Sequence, residues 1–172
     1  MDGLTSPLAP APSRRSAETM LVAFLATVVM LFAGFTSAFL IRRTGSDWQP
    51  VELPRLAYTN TLVLVAASAL LEWSRRRAST GAARAALALG LVFLVGQVQV
   101  WRVLAAQGMF LSDTPEGAFF FLLSAVHGLH LLGGVGALVW LIARARAPRL
   151  LAAYWHFLGL VWLYVLLLLH FQ

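Results

Sequence analysis

Residues 119–142 read FFFLLSAVHGLHLLGGVGALVWLI, from Phe119 to Ile142. The run holds no Asp, Glu, Lys or Arg, and as a helix rising 1.5 Å per residue it is long enough to cross the roughly 30 Å hydrocarbon layer of a bilayer. No water is available there, so the backbone must satisfy its own N–H and C=O groups, which a helix does. Four other long apolar runs flank this one. The expected spans are 17–41, 56–73, 82–106, 117–143 and 150–171. The second is the shortest and is led by Pro54, at a position where a helix start tolerates proline. The chain therefore reads as all-α, an integral membrane bundle of five transmembrane helices.

Composition agrees. Of 172 residues, 60% are hydrophobic and 12% charged, against roughly 45–50% and 25% in soluble domains. A soluble domain of this size has too little interior for that much apolar surface, so lipid must cover much of it. Residues 1–16 are rich in Pro, Ser and Ala and are expected to form a disordered tail. The apolar run behind Arg14 and Arg15 is too long for the core of a signal peptide. There is no cysteine, which excludes disulfides, zinc–thiolate sites, iron–sulfur clusters and covalently attached c-type haem. The net charge of +6 raises nucleic acid as a partner. All 13 cationic residues are Arg, however, and they gather at the ends of apolar runs, as suits a membrane surface; no nucleic-acid partner is expected.

The arginines also orient the chain. Arg14, Arg15, Arg75, Arg76, Arg77, Arg84, Arg144, Arg146 and Arg149 fall on one side, and Arg42, Arg43, Arg55 and Arg102 on the other. The positive-inside bias puts the N-terminus in the cytoplasm and the C-terminus in the periplasm. Asp47, Glu52, Asp113 and Glu116 fall in the two outer loops. Short loops imply that helices adjacent in sequence are adjacent in space.

Polar residues inside spans raise the question of function. His127, His130, His156, Gln97, Gln99 and Asn60 lie within the runs; Glu72 and His170 lie at run ends. No carboxylate sits at mid-span, which disfavours a proton-coupled transporter. His127 and His130 are about 60° apart around a helix, on one face with Ser124, Gly128 and Gly134. That face suits close helix packing with His as a polar link, contact with lipid headgroups or a partner subunit, or a b-type haem. Haem would need His127 or His130 to face His156 across two helices, where Trp155, Phe157 and Phe119–Phe121 crowd the candidates. Gln97 and Trp101 share a stripe, and Gln97 suits an interhelical hydrogen bond. Trp48, Trp73, Trp101 and Trp140 sit near run ends, as an aromatic belt would. Nucleophile-elbow, P-loop and H-E-x-x-H motifs are absent.

Five ordered stretches resemble subunit III of haem–copper terminal oxidases, in its short five-helix bacterial form. AVHGLHLLGGVGALVWLI looks like that family's TGFHGLHVxxG helix, and YWHFLGLVWLYVLLLLHF its closing YWHFVDVVWLFLF helix. LGLVFLVGQVQVW is similar to LGxxFxxxQxxEW, with Gly90, Phe93, Gln97 and Trp101 in register. LPRLAYTNTLVLVAAS resembles LPxxNTxxLxxSS through Leu53, Pro54, Asn60, Thr61 and Ser68. FLATVVMLFAGFTSAFLIRR is similar to the opening helix through Phe32, Gly34, Ser37, Ala38 and Arg42. The resemblance runs from Ala17 to Phe171 and departs at three family carboxylates, whose positions hold Val28, Val100 and Gly159.

The resemblance implies an accessory, non-redox subunit of a respiratory oxygen reductase in the bacterial inner membrane. It implies no cofactor in this chain, and haem and copper in partner catalytic subunits. It implies packing against oxidase subunit I and other respiratory complex subunits, phospholipid held in a cleft, and support of assembly, proton uptake and active-site durability. His127, His130, Gly134, Trp155 and His156 would line or brace the cleft; Asn60, Gln97 and Trp101 would tie helices together. A companion subunit of a nitric oxide reductase, from the same superfamily, is the alternative, followed by a b-type membrane cytochrome.

Overall fold

The computed structural model describes residues 14–109, 114–144 and 149–171, and they form five helices. These are α1 (Arg14–Arg42), α2 (Arg55–Arg77), α3 (Thr80–Ala106), α4 (Pro115–Ala143) and α5 (Arg149–His170). All five are long and apolar enough to span a membrane. Residues 1–13 of the expected tail, Asp113 and Arg146 lie outside the described residues; Arg14, Arg15 and Ser16 belong to α1.

Local signals explain the helix ends. Ser79 caps α3, its hydroxyl accepting from the Ala82 N–H, and Thr114 caps α4, accepting from the Gly117 N–H. Pro115 then takes the first helical position of α4, where its missing N–H costs nothing. Glu116 is in that first turn and buried, not in a loop. The charge sequence places it there, because a carboxylate suits the positive end of a helix. α2 runs to Arg77, past the expected end at Trp73. Glu72 bonds both Arg75 and Arg76, at i+3 and i+4, and carries the helix through the arginine run. Ala78 ends it in the left-handed conformation.

α2, α3, α4 and α5 form a ring, each touching its neighbours in order, with α5 closing on α2. The buried residues recur at alternating steps of three and four: Ala83, Ala86, Gly90, Phe93, Gln97, Val100 and Leu104 on α3, and Leu151, Trp155, Leu158, Trp162, Val165 and Leu169 on α5. That repeat favours nearly parallel or antiparallel helix axes, as in four-helix bundles.

α1 stands outside the ring. It packs on α4 and α5, and among the described residues it meets neither α2 nor α3. The expectation that α1 and α2 are neighbours is thereby corrected. The connection through residues 43–54 is long enough, at about 3.3 Å per extended residue, to cross the end of the ring. Only 17% of the apolar window of α1 is buried, against 44% for α5. Tyr164 donates to Thr36 Oγ1 at 2.8 Å, and Arg43 to the Phe171 carbonyl at 3.1 Å, holding α1 parallel to α5.

Candidate functional site

The polar residues of the spans occupy four distinct places. The first is the α2–α3 contact. Asn60 Nδ2 donates to the Phe93 carbonyl at 3.0 Å. A Cβ at Gly96 would run into the Asn60 amide, so glycine is what lets the two helices close around that bond.

The second is the ring interior. Trp162 reaches from α5 to donate its indole N–H to Thr61 Oγ1 on α2 at 3.0 Å. Its ring lies 5.0 Å from the His127 imidazole and 5.4 Å from Phe93. One level away, Trp155 fills the centre at 0% exposure. A Cβ on Gly90 would come within 2.8 Å of its ring, and one on Gly134 within 3.2 Å of Tyr154. His127 is also at 0% exposure, and among the described residues neither of its nitrogens has a hydrogen-bond partner, nor does the Trp155 N–H. His127, Trp155 and Gly134 are thus buried between the helices of the ring.

The third place is the α1–α4 seam, which holds His130. A separation of about 60° suffices to send the two histidines into different surroundings. His130 is half-buried, its Nδ1 is 2.8 Å from the Val126 carbonyl, and its ring lies 6.1 Å from Phe24 and 6.4 Å from Phe32 on α1. Tyr154 donates to the His130 carbonyl at 2.8 Å.

The fourth is the α2–α5 seam. Ser68 Oγ and His156 Nδ1 are 2.5 Å apart, and His156 Nε2 is 3.5 Å from Glu72 Oε2. Ser68 and Glu72 are missed as site residues by sequence reasoning, although their i, i+4 spacing put them on one face. Below His156 a groove of about 280 Å³ runs between the helices, lined by Thr61, Leu64, Val65, Gly159, Leu160 and Leu163 among others. Both nitrogens of His156 therefore have polar neighbours, Ser68 on one side and Glu72 on the other. Among the described residues no three of His, Asp or Glu converge as a metal site.

Gln97 and Trp101 lie together on α3, facing α4. Trp101 donates its indole N–H to Ser124 Oγ at 2.9 Å, and Ser124 in turn donates to the Phe120 carbonyl at 2.7 Å. The interhelical bond expected of Gln97 is not made within the described residues: it is 5% exposed and neither amide atom has a partner. Of the expected aromatic belt, Trp73 and Trp140 are exposed, each with an arginine, Arg77 and Arg144, 5.4 Å above its ring. Trp48 turns inward against Phe39 and Phe119 instead.

No family model matches the chain. Individual proteins do. A probable cytochrome c oxidase subunit 3 from Mycobacterium leprae is 30% identical over 171 residues, covering 87% of this chain and 85% of the relative. The cytochrome c oxidase subunit 3 of Corynebacterium diphtheriae is 27% identical with the same coverage. That of a Synechocystis species is 26% identical over 87% of this chain and 72% of the relative. This chain belongs to the cytochrome c oxidase subunit 3 family. As a subunit 3 protein it is a multi-pass membrane protein of the haem–copper oxidase class.

Within this subunit 3 fold, Val28, Val100 and Gly159, where the sequence resemblance leads one to expect carboxylates, have separate environments. Val28 is buried one helical turn from both Phe24 and Phe32, the residues flanking His130. Val100 is fully buried in α3. Gly159 borders the α2–α5 groove, and a Cβ there meets nothing within 4 Å. At the first two positions a buried apolar side chain spares the bundle an ionisable group that lipid and packed helices solvate poorly.

Proposed function

We propose that this chain is an accessory subunit of a respiratory oxygen reductase in the bacterial inner membrane, carrying no redox centre itself. The arginine distribution supports a cytoplasmic N-terminus and a periplasmic C-terminus. Oxidase subunit I, with haem and copper, is the proposed neighbour. The chain braces that subunit, holds phospholipid, and by those means supports assembly, proton uptake and durability of the active site. One observation carries the reading. Among the described residues the centre of the ring is filled by Trp155, Trp162, Phe93 and His127, so the interior goes to mutual packing, and grooves lie on outer faces between α2 and α5 and between α3 and α4.

The α2–α5 groove is the proposed lipid position. Its walls are apolar, and Arg75, Arg76 and Arg77 stand at the end of α2 above His156, where an anionic headgroup would meet them. Purification in mild detergent with mass spectrometry tests both parts. The expected result is a haem–copper catalytic subunit and retained phospholipid. A nitric oxide reductase catalytic subunit in its place would move the chain to that branch. Gly159→Leu fills the groove from an open position, and the expected outcome is loss of the bound lipid with the complex intact. A redox-sensitive Soret band from the isolated chain would overturn the accessory reading.

A further inference from the structure

The outward face of α3 is not wholly apolar. Ala88, Val92, Val95, Gln99, Arg102 and Ala106 follow one another at steps of four and three, and all six are exposed. That spacing makes the seam of a helix pair, on a face about opposite the buried stripe of Phe93, Gln97 and Val100. Two polar side chains stand on it: among the described residues, neither the Gln99 amide nor the Arg102 guanidinium has a hydrogen-bond or ion-pair partner. The exposed hydroxyls of Thr27 and Thr59 differ, for each donates to a carbonyl of its own helix, at Phe24 and Leu56. Depth makes the amide costly. α3 is 27 residues long, about 40 Å, and when centred overhangs a hydrocarbon layer of roughly 30 Å by about 5 Å at each end. Arg102, about 6 Å before the end of the helix, then stands at the boundary of the layer, and Gln99, about 4.5 Å deeper, lies inside it, where no bulk water is at hand.

We infer that this stripe seats a transmembrane helix of another oxidase subunit, one that carries an Asp or Glu at the level of Arg102 and a hydrogen-bonding side chain at the level of Gln99. The inference rests on the accessory-subunit reading and names a face through which the chain joins its complex. A carboxylate neutralises a guanidinium and accepts two of its N–H groups at once, and an amide bonded across two helices is a recognised link between membrane spans. Lipid serves the site less well: a headgroup can meet Arg102 at the boundary, but the acyl chains below it hold no acceptor for Gln99. A second copy of this chain, related by a two-fold axis along the membrane normal, would set Arg102 against Arg102, and like charges at that contact oppose the pairing.

Val95 on the stripe and Leu62 on α2 are 61% and 68% exposed, which permits a matched comparison. A photoactivatable diazirine side chain is placed at one or the other position, in membranes holding the assembled complex. At Val95 the expected adduct is to a different polypeptide of the oxidase; at Leu62 it is to lipid. An adduct at Val95 to lipid alone, or to a second copy of this chain, overturns the inference. If other oxidase subunits co-purify while Val95 sees only lipid, the stripe assignment fails and the accessory reading stands; if none co-purify with the unaltered chain, the accessory reading fails and takes the inference with it. Gln99→Leu gives a second readout, because an exposed leucine on a span leaves the chain's own packing untouched. The expected effect is about a tenfold loss of co-purifying subunits at an unchanged amount of this chain in the membrane. Arg102→Glu is expected to act likewise, by setting carboxylate against carboxylate, and Arg102→Lys to spare the association. Full retention in Gln99→Leu or Arg102→Glu overturns the proposal.

Discussion

Asn60 and Gly96 act as one unit. The Asn60 bond to the Phe93 carbonyl exists only because Gly96 leaves room for the amide. Asn60→Leu is expected to destabilise the detergent-solubilised chain by about 0.5–2 kcal/mol, the span of values for interhelical hydrogen bonds in membranes. Gly96→Ala is expected to cost a similar amount by pushing the amide aside, and the double variant less than the sum, because both break the same bond. Unfolding in denaturant-containing micelles measures all three. His127 behaves oppositely. Neither ring nitrogen is partnered among the described residues, so His127→Leu keeps most of the bulk and removes a desolvated polar group. The expected change is within about 0.5 kcal/mol of zero or stabilising, by the same assay; a loss above about 2 kcal/mol would show a hydrogen bond absent from this geometry. The sequence showed that two histidines shared a helix face. It gave no sign of which one turned inward, since Phe24 and Phe32 of α1 and Phe93 and Trp162 of the ring offer each an equally aromatic neighbourhood.

Long apolar runs bounded by arginine made all five helices legible. The inner stripe of each was not. In water a helix shows its buried face by contrast with a polar one, but here the outward face is as apolar as the inward one. What marks the stripe is its few polar members: Asn60, Gln97, Ser124 and His127 all fall on the buried repeat of three and four. The helix α2 continues past its apolar run into the arginines because Glu72 pairs with Arg75 and Arg76. At the opposite end of the bundle Arg42 pairs with Asp47 through hydrogen bonds of 2.8 and 2.5 Å. That guanidinium holds the Asp47 carboxyl below its ordinary range. The sign follows: whatever the exposed pair adds is present above the unfolded carboxylate's pKa and is lost as the pH falls through the lower folded value. A carbon-detected titration of the Asp47 carboxyl is expected to show a depressed midpoint that returns to the ordinary range in Arg42→Gln.

The arrangement of the whole molecule was the least legible part. Loop length suggested that sequence neighbours touch, and this fails for α1, which a long connection carries to the far side of α5 from α2. Nothing in an apolar run specifies which apolar neighbour it will choose. The absence of cysteine makes the arrangement easy to check. A short thiol cross-linker should join Thr36→Cys to Tyr164→Cys, whose native side chains hydrogen-bond at 2.8 Å. It should leave Thr36→Cys unlinked to Leu91→Cys on α3. The reverse pattern would mean that α1 packs on the other edge of the ring.

The seat of α1 has a consequence for biosynthesis. The ribosome makes this helix before α4 and α5, yet those two helices carry the surfaces that receive it. At roughly 5–20 residues per second, α1 spends several seconds to tens of seconds in the bilayer before its berth exists. It must therefore survive as a lone lipid-soluble rod, and its largely unburied, greasy surface fits it for that wait.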